Sequence, residues 1–203
     1  MSARRAIVAV PPPLSARIAF FPSLPARERA AERMPLGSLT KISAVYDEPF
    51  WREDGLTGEG LSDRGPVTIT LDGTPRNSRP GILVGFIGGA DDRAYGRLAE
   101  GERRAAALDS LERLYGPQAS DPKLFLEQRW AAEPWSGGGP VGNFGPAGWT
   151  GYGPALREPA GRVHWAGTET SAIWCGYMDG AVRSGERAAA EVLAATGGDV
   201  PVG

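Results

Sequence analysis

The sequence has little of what builds metal and disulfide chemistry. Its 203 residues include one cysteine, Cys175, and one histidine, His164. A single cysteine excludes an internal disulfide, and one of each leaves too few ligands for a protein-built zinc site of the usual kind. No metal is expected. Long apolar runs are also missing: none approaches the ~20 residues that span a bilayer, and the N-terminus has no signal-peptide core. Neither sign of charge dominates, since 22 basic against 24 acidic side chains leave a net charge of -2 with no basic stripe to follow phosphates. Nucleic acid and membrane are therefore not expected partners, and a cytoplasmic location is the expectation. Redox chemistry in such a chain needs a borrowed cofactor.

What the chain does have is an apolar content of 41%, enough to fill the core of one or two domains. Ala6-Ile7-Val8-Ala9-Val10, stopped by Pro11, Pro12 and Pro13, predicts a buried strand ending at a rigid turn. A central strand so close to Met1 needs a sheet made by residues outside this sequence, so a chain truncated at its front is expected. Residues 25–34 suit a short helix with proline at its first position and alternating charges on a solvated face. Strands are predicted over 41–46, 67–71, 82–87 and 124–130, in a mostly antiparallel or mixed sheet, with a helix over 102–115. Between Pro134 and Pro159 glycine, proline and aromatics predict a long irregular segment of the kind that lines a cavity.

The last block is a strand over 162–167, a turn containing Gly167-Thr168-Glu169-Thr170, and a helix from about Tyr177 to Leu193. Met178, Ala181, Val182, Gly185, Ala189, Val192 and Leu193 share one face of that helix, and this face, like residues 7–10, is patterned for burial against a βαβ unit outside this sequence, so this chain alone is expected to expose it. Glycines before a helix N-terminus let a ligand approach backbone, and the unpaired N–H groups there favour an anion. A capped αβ turn with no ligand has the same general pattern.

The particular residues are more specific. Residues 161–189, from Gly161-Arg-Val-His-Trp-Ala-Gly-Thr-Glu-Thr through Trp174-Cys-Gly-Tyr-Met-Asp-Gly180 and on along the helix, resemble the C-terminal flavin motif of the flavin-containing amine oxidases of the monoamine oxidase type. Met34-Pro-Leu-Gly-Ser-Leu-Thr-Lys41, Glu48-Pro-Phe-Trp51 and Trp135-Ser-Gly-Gly138 are in the family's order, and 7–12 resembles its strand passing the cofactor. The resemblance runs from about Ala3 to Leu193.

It implies an α+β fold: a partial FAD-binding domain from residues 1–30 and 133–197, enclosing a mixed-sheet substrate-binding domain with helices over 31–132, and a tail over 198–203. It implies oxidation of an amine to an imine, with electrons passing to flavin and then to oxygen. Lys41 and Tyr177 take the catalytic roles, Lys41 beside a water at the flavin's reactive nitrogen and Tyr177 as one wall of an aromatic pair. Cofactor contacts fall at Val8, Trp130, Gly167, Thr168, Glu169, Gly176, Tyr177, Met178 and Ala181, and Trp174 and Phe144 face the substrate cavity. The family's flavin-linking cysteine is replaced by Gly139 and the tyrosine after it by Pro140, so FAD is expected to bind noncovalently and the second aromatic wall is missing. Cys175 and His164 are expected to be structural.

One part of the family pattern is absent, the G-x-G-x-x-G loop that binds the FAD pyrophosphate. Gly85-x-x-Gly88-Gly89 comes after a strand without the helix such a loop requires. Two readings are open: part of an amine oxidase completed by an N-terminal FAD-binding polypeptide or a second copy, or a non-catalytic remnant serving as an interaction module.

Overall fold

The computed structural model describes residues 2–76 and 79–197. The predicted tail, 198–203, lies outside the described residues. The chain divides into two compact units, Met1–Gly37 with Gly139–Gly203, and Ser38–Gly138.

In the first unit, β1 (Ala6–Val8) pairs in parallel with β7 (Val163–Trp165), bringing Val8 opposite Trp165. The strand predicted over 6–10 is shorter than expected, pairs with β7 along one edge, and is open, with Ile7 44% exposed. Prolines then set two short helices, α1 (Pro12–Ser15) and α2 (Pro25–Glu32), each with proline in its first turn. The stretch predicted to be irregular contains α5 (Gly148–Arg157). Its glycines and Pro154 hide the helix by propensity, but Trp149, Tyr152 and Leu156 recur at helical spacing and Leu156 is buried with Ala30 and Met34.

In the final helix, α6 (Met178–Ala195), the face packed within this unit is the one that carries small residues. Gly180, Ser184 and Ala188 are buried, while Met178 and Val182 face out. Small side chains permit the closer approach: a Cβ on Gly180 would collide with the Trp174 carbonyl, and the Ser184 hydroxyl accepts the Gly167 N–H. The larger apolar side chains are left on the surface.

The second unit is a five-stranded sheet in the order β3 (Gly60–Leu61), β4 (Ile69–Asp72), β5 (Gly81–Gly88), β2 (Leu39–Tyr46), β6 (Leu124–Arg129). Each pairing is antiparallel, the first of the two arrangements the sequence left open. Ile42, Ala44 and Tyr46 of β2 alternate inward with Leu83 and Ile87 of β5 and meet Leu108, Leu111 and Tyr115 of α4 (Glu100–Tyr115). Trp51 packs edge-on to Tyr46 and Phe50 in the same core. Gly85 and Gly88 lie inside β5, and α3 (Gly89–Tyr95) does come directly after it. Since both neighbours of β5 are antiparallel, this is not a dinucleotide-binding βαβ unit.

Candidate functional site

The strand β7 ends at Trp165, and the chain passes through Ala166 and Gly167 into a 3-10 turn, Thr168–Thr170. Gly167 has φ +106, a value few other residues adopt, which lets the chain leave the strand sharply. The Ala166 N–H donates to the Val8 carbonyl at 2.9 Å, so the parallel pair carries this turn at its end.

Thr168 shapes the approach to α6. Its hydroxyl accepts the Gly176 N–H at 2.7 Å and donates to the Tyr177 carbonyl at 2.8 Å. One side chain thereby clamps both ends of a short turn whose other wall is Gly180, the first buried residue of α6. The outcome is a fixed display of side chains: Trp174 is 59% exposed, Tyr177 64% and Met178 88%. Trp174 sits at φ +54, a left-handed conformation that costs an L residue roughly 1 kcal/mol and tends to persist where function demands it. Its ring meets that of Tyr177 edge-on, with centroids 5.5 Å apart. Ala181 makes the first regular helical bond, donating to the Tyr177 carbonyl at 3.2 Å, so the N–H groups of 178–180 point out of the helix start.

Glu169 is buried beneath the turn, its Oε1 accepting the Gly142 N–H at 3.2 Å. That bond secures the 139–143 segment, which also runs beside 35–37: Gly139 donates to the Gly37 carbonyl at 2.8 Å and Asn143 to that of Pro35 at 3.1 Å. The thiol of Cys175 is pushed up from its ordinary value, chiefly by burial and then by the Glu169 charge, with Arg157 opposing. His164 is a structural residue: its Nδ1 lies 3.0 Å from Glu191 and its Nε2 3.3 Å from Arg5.

Val8, Gly167, Thr168, Glu169, Trp174, Gly176, Tyr177, Met178 and Ala181 are thus gathered around one strand end and one helix start. Phe144 is elsewhere in this unit; its ring contacts are with Trp149 at 5.1 Å and Tyr152 at 5.6 Å. Lys41 and Trp130 belong to the other unit. Lys41 is exposed on β2, opposite Phe86 and Gln128 and on the face away from buried Ile42. Trp130 opens a 3-10 turn directly after β6. Sequence reasoning missed Ser184 and Gly142 as partners of the turn, and Arg27 as a buried cation. The spacing Gly180, Ser184, Ala188 is a small-residue stripe that could have revealed the packing face. Among the described residues no three His, Cys, Asp or Glu side chains gather to hold a metal ion, and no helix is long and apolar enough to cross a membrane.

Comparison with known proteins bears on the same residues. The family described as flavin containing amine oxidoreductase matches residues 1–193. AofH of Mycobacterium tuberculosis, named as a flavin-containing monoamine oxidase, is 48% identical over 93% of this chain and 41% of its own length. Human amine oxidase [flavin-containing] B is 40% identical over 96% of this chain and 38% of its own. Cyclohexylamine oxidase from Brevibacterium oxydans superposes with a TM-score of 0.91 at 39% identity, over 96% of this chain and 43% of that one. The chain spans about two fifths of the length of these relatives. Matched along nearly all of its own length, and with the Thr168-clamped turn inside the matched region, the chain belongs to the flavin-containing amine oxidoreductase family.

Proposed function

We propose that this chain contributes the flavin-facing turn and the substrate-binding unit of an FAD-dependent amine oxidase. The observation that carries this reading is the turn clamped by Thr168, which presents Tyr177 and Trp174 in front of the N-terminus of α6. The residues fit a flavin. An aromatic surface meets a planar ring system, Gly167 and Gly176 leave backbone approachable, and the helix start offers N–H donors and partial positive charge.

When bound, FAD supplies the two-electron acceptor that takes a hydride equivalent from the carbon bearing nitrogen and passes the electrons to oxygen. The chain's part is binding, orientation and electrostatics. The 178–180 N–H groups favour negative charge near the helix start, an arrangement that stabilises a reduced, anionic product over a neutral reactant. Tyr177 offers a ring face to the amine. With Pro140 where relatives of the monoamine oxidase type carry a second ring, the amine is held against one wall rather than between two. Lys41 supplies a cation where oxygen gains charge. Gly139 has no sulfur, so attachment of FAD is noncovalent.

The surface left open on the first unit, Ile7, Val10, Met178, Val182 and Leu193, supports completion by an FAD-binding polypeptide. A non-catalytic interaction module is the second reading, drawn from this same open surface. The test is to mix the chain with FAD and the N-terminal half of a related oxidase and monitor hydrogen peroxide on adding amines. Amine-dependent peroxide supports the oxidase, and flavin binding without turnover of any amine class supports the module.

A further inference from the structure

A continuous line of hydrogen bonds leads from α6 to the start of the Thr168 turn. Arg187, near the middle of that helix, donates through Nη2 to the Trp165 carbonyl at 2.7 Å and to the Thr170 hydroxyl at 3.2 Å. Through Nη1 it donates to Glu191 Oε1 at 2.5 Å. The Thr170 hydroxyl in turn donates to the Gly167 carbonyl at 2.8 Å, and Gly167 is the residue at φ +106 where the chain leaves β7. Behind Arg187, the second oxygen of Glu191 lies 3.0 Å from Nδ1 of His164, whose Nε2 lies 3.3 Å from Nη1 of Arg5. His164 is 2% exposed.

The chemistry of these groups fixes the direction of every bond in the line. Arginine has donors and no acceptor, so Nε2 of His164 accepts from Arg5 and Nδ1 carries the hydrogen given to Glu191. Burial would raise the Glu191 carboxyl, but the bonds from His164 and Arg187 hold it below the usual carboxylate range, as an ionised acceptor with one donor on each oxygen. A half-exposed ion pair contributes little by itself. What sets this one apart is where the rest of the guanidinium goes. With Arg187 donating to its oxygen, the Thr170 hydroxyl has its single hydrogen directed at Gly167. Arg183, one turn earlier, pairs with Asp179 instead. We propose that Arg187 is a positioning residue for the turn: anchored by Glu191 and by the Nδ1–H form of His164, it holds the strand end at Trp165 and, through Thr170, the carbonyl of Gly167. The Thr168 clamp fixes the far end of the turn at 176–177, and Arg187 fixes its beginning.

The consequence for flavin rests on the proposed oxidase function, but the hold on the turn does not, and two measurements on the full chain read it directly. The chain has one histidine, so its ring nitrogens give unambiguous signals. Long-range proton–nitrogen NMR correlation at mildly alkaline pH should show the Nδ1–H tautomer, and the Nε2–H tautomer would overturn the proposal. Hydrogen exchange is then followed at the Thr170 and Ser171 amides, which bond to the Gly167 and Thr168 carbonyls, with amides of the β2–β5 ladder as reference. Arg187→Met should speed exchange in the turn about tenfold or more and leave the reference unchanged. Thr170→Val, which keeps the shape and removes the hydroxyl, should act in the same direction. The Arg187→Met/Thr170→Val double variant should exchange no faster than Arg187→Met, since both changes cut one path. Arg187→Lys should not restore protection, because an ammonium cannot present the planar fork that spans Glu191 and the turn. Exchange at the wild-type rate in Arg187→Met, full protection in Arg187→Lys, or effects that multiply in the double variant overturns the proposal. If Arg187→Met does not fold, Glu191→Gln takes its place, leaving Arg187 present without its anchor, and it should also speed exchange in the turn. With FAD and a complementing half, Arg187→Met should release flavin about tenfold more readily than wild type, and equal retention would overturn the positioning role. If tautomer and exchange behave as predicted while not even wild type binds FAD, the hold on the turn stands and the oxidase reading fails.

Discussion

The Thr168 hydroxyl and the Tyr177 carbonyl lie 2.8 Å apart across a turn whose other end, the Gly176 N–H, is held by the same oxygen at 2.7 Å. Thr168→Val keeps the shape of the side chain and removes both bonds. It should lower stability by about 1–2 kcal/mol, read as a shift in urea midpoint at unchanged slope. Thr168→Ser should recover most of the loss. A Val variant as stable as wild type would mean that the clamp does not hold the turn.

Glycine at 180 and glycine at 185 should respond oppositely to alanine. Alanine gains about 1 kcal/mol over glycine within a helix, and a Cβ on Gly185 meets open space. Gly185→Ala should therefore stabilise slightly. At Gly180 the added carbon collides with the Trp174 carbonyl and crowds Thr168, so Gly180→Ala should cost more than the helix gains, about 2 kcal/mol net or more. Thermal melts of the two variants decide it. Equal shifts of one sign would refute the packing of α6 on the turn.

In the sheet unit, Arg103 grips Glu127 through three hydrogen bonds of 2.8–3.0 Å, with both side chains mostly buried. Burial alone would raise the Glu127 carboxyl, but the Arg103 guanidinium holds it below the usual carboxylate range. A carboxyl lower in the folded than in the unfolded state stabilises at pH values above its unfolded value, ~4.3, and that contribution fades as pH falls through the folded value. Wild type should be more stable than Glu127→Gln at neutral pH, the gap closing below about pH 4. Urea titrations across the acid range would show a constant gap if the pair were not coupled to protonation. Arg103→Ala, which strands the carboxylate, should cost about 3 kcal/mol at neutral pH.

Attachment of the cofactor gives a further test. With Gly139 in place of a cysteine, acid precipitation of a flavin-loaded complex should release all of its FAD to the supernatant. A yellow pellet would show a covalent link elsewhere in the complex.

Much of the second unit is legible in the sequence: β2 buries every second residue, as its alternation implies, and β5, apolar throughout, lies between β4 and β2 as a central strand. The first unit is harder to read. Gly148, Gly151, Gly153 and Pro154 all disfavour a helix, yet α5 forms because Leu156 and its aromatic neighbours find a core that local propensity cannot register. The face of α6 that packs within this unit carries small residues, which hydrophobicity alone does not single out. Close packing of Gly180 and Ser184 on the turn depends on size and hydrogen bonding instead. Around the site, Thr168, Glu169 and Tyr177 stand out by their resemblance to a family motif. Arg27 does not, since a charge on a short helix looks solvated until Trp165 is placed beneath it.

The central claim is that this chain presents a flavin to an amine, and Tyr177 is the residue through which to test it. The decisive measurement is anaerobic addition of amine to FAD held by the chain with a complementing N-terminal half, monitoring loss of the oxidised flavin's yellow absorbance. The predicted result is full bleaching by at least one amine, and bleaching slowed by tenfold or more in Tyr177→Ala with FAD still bound, about 1.4 kcal/mol or more in the barrier. Flavin that stays yellow with every class of amine, or that bleaches as fast without the Tyr177 ring, would contradict it.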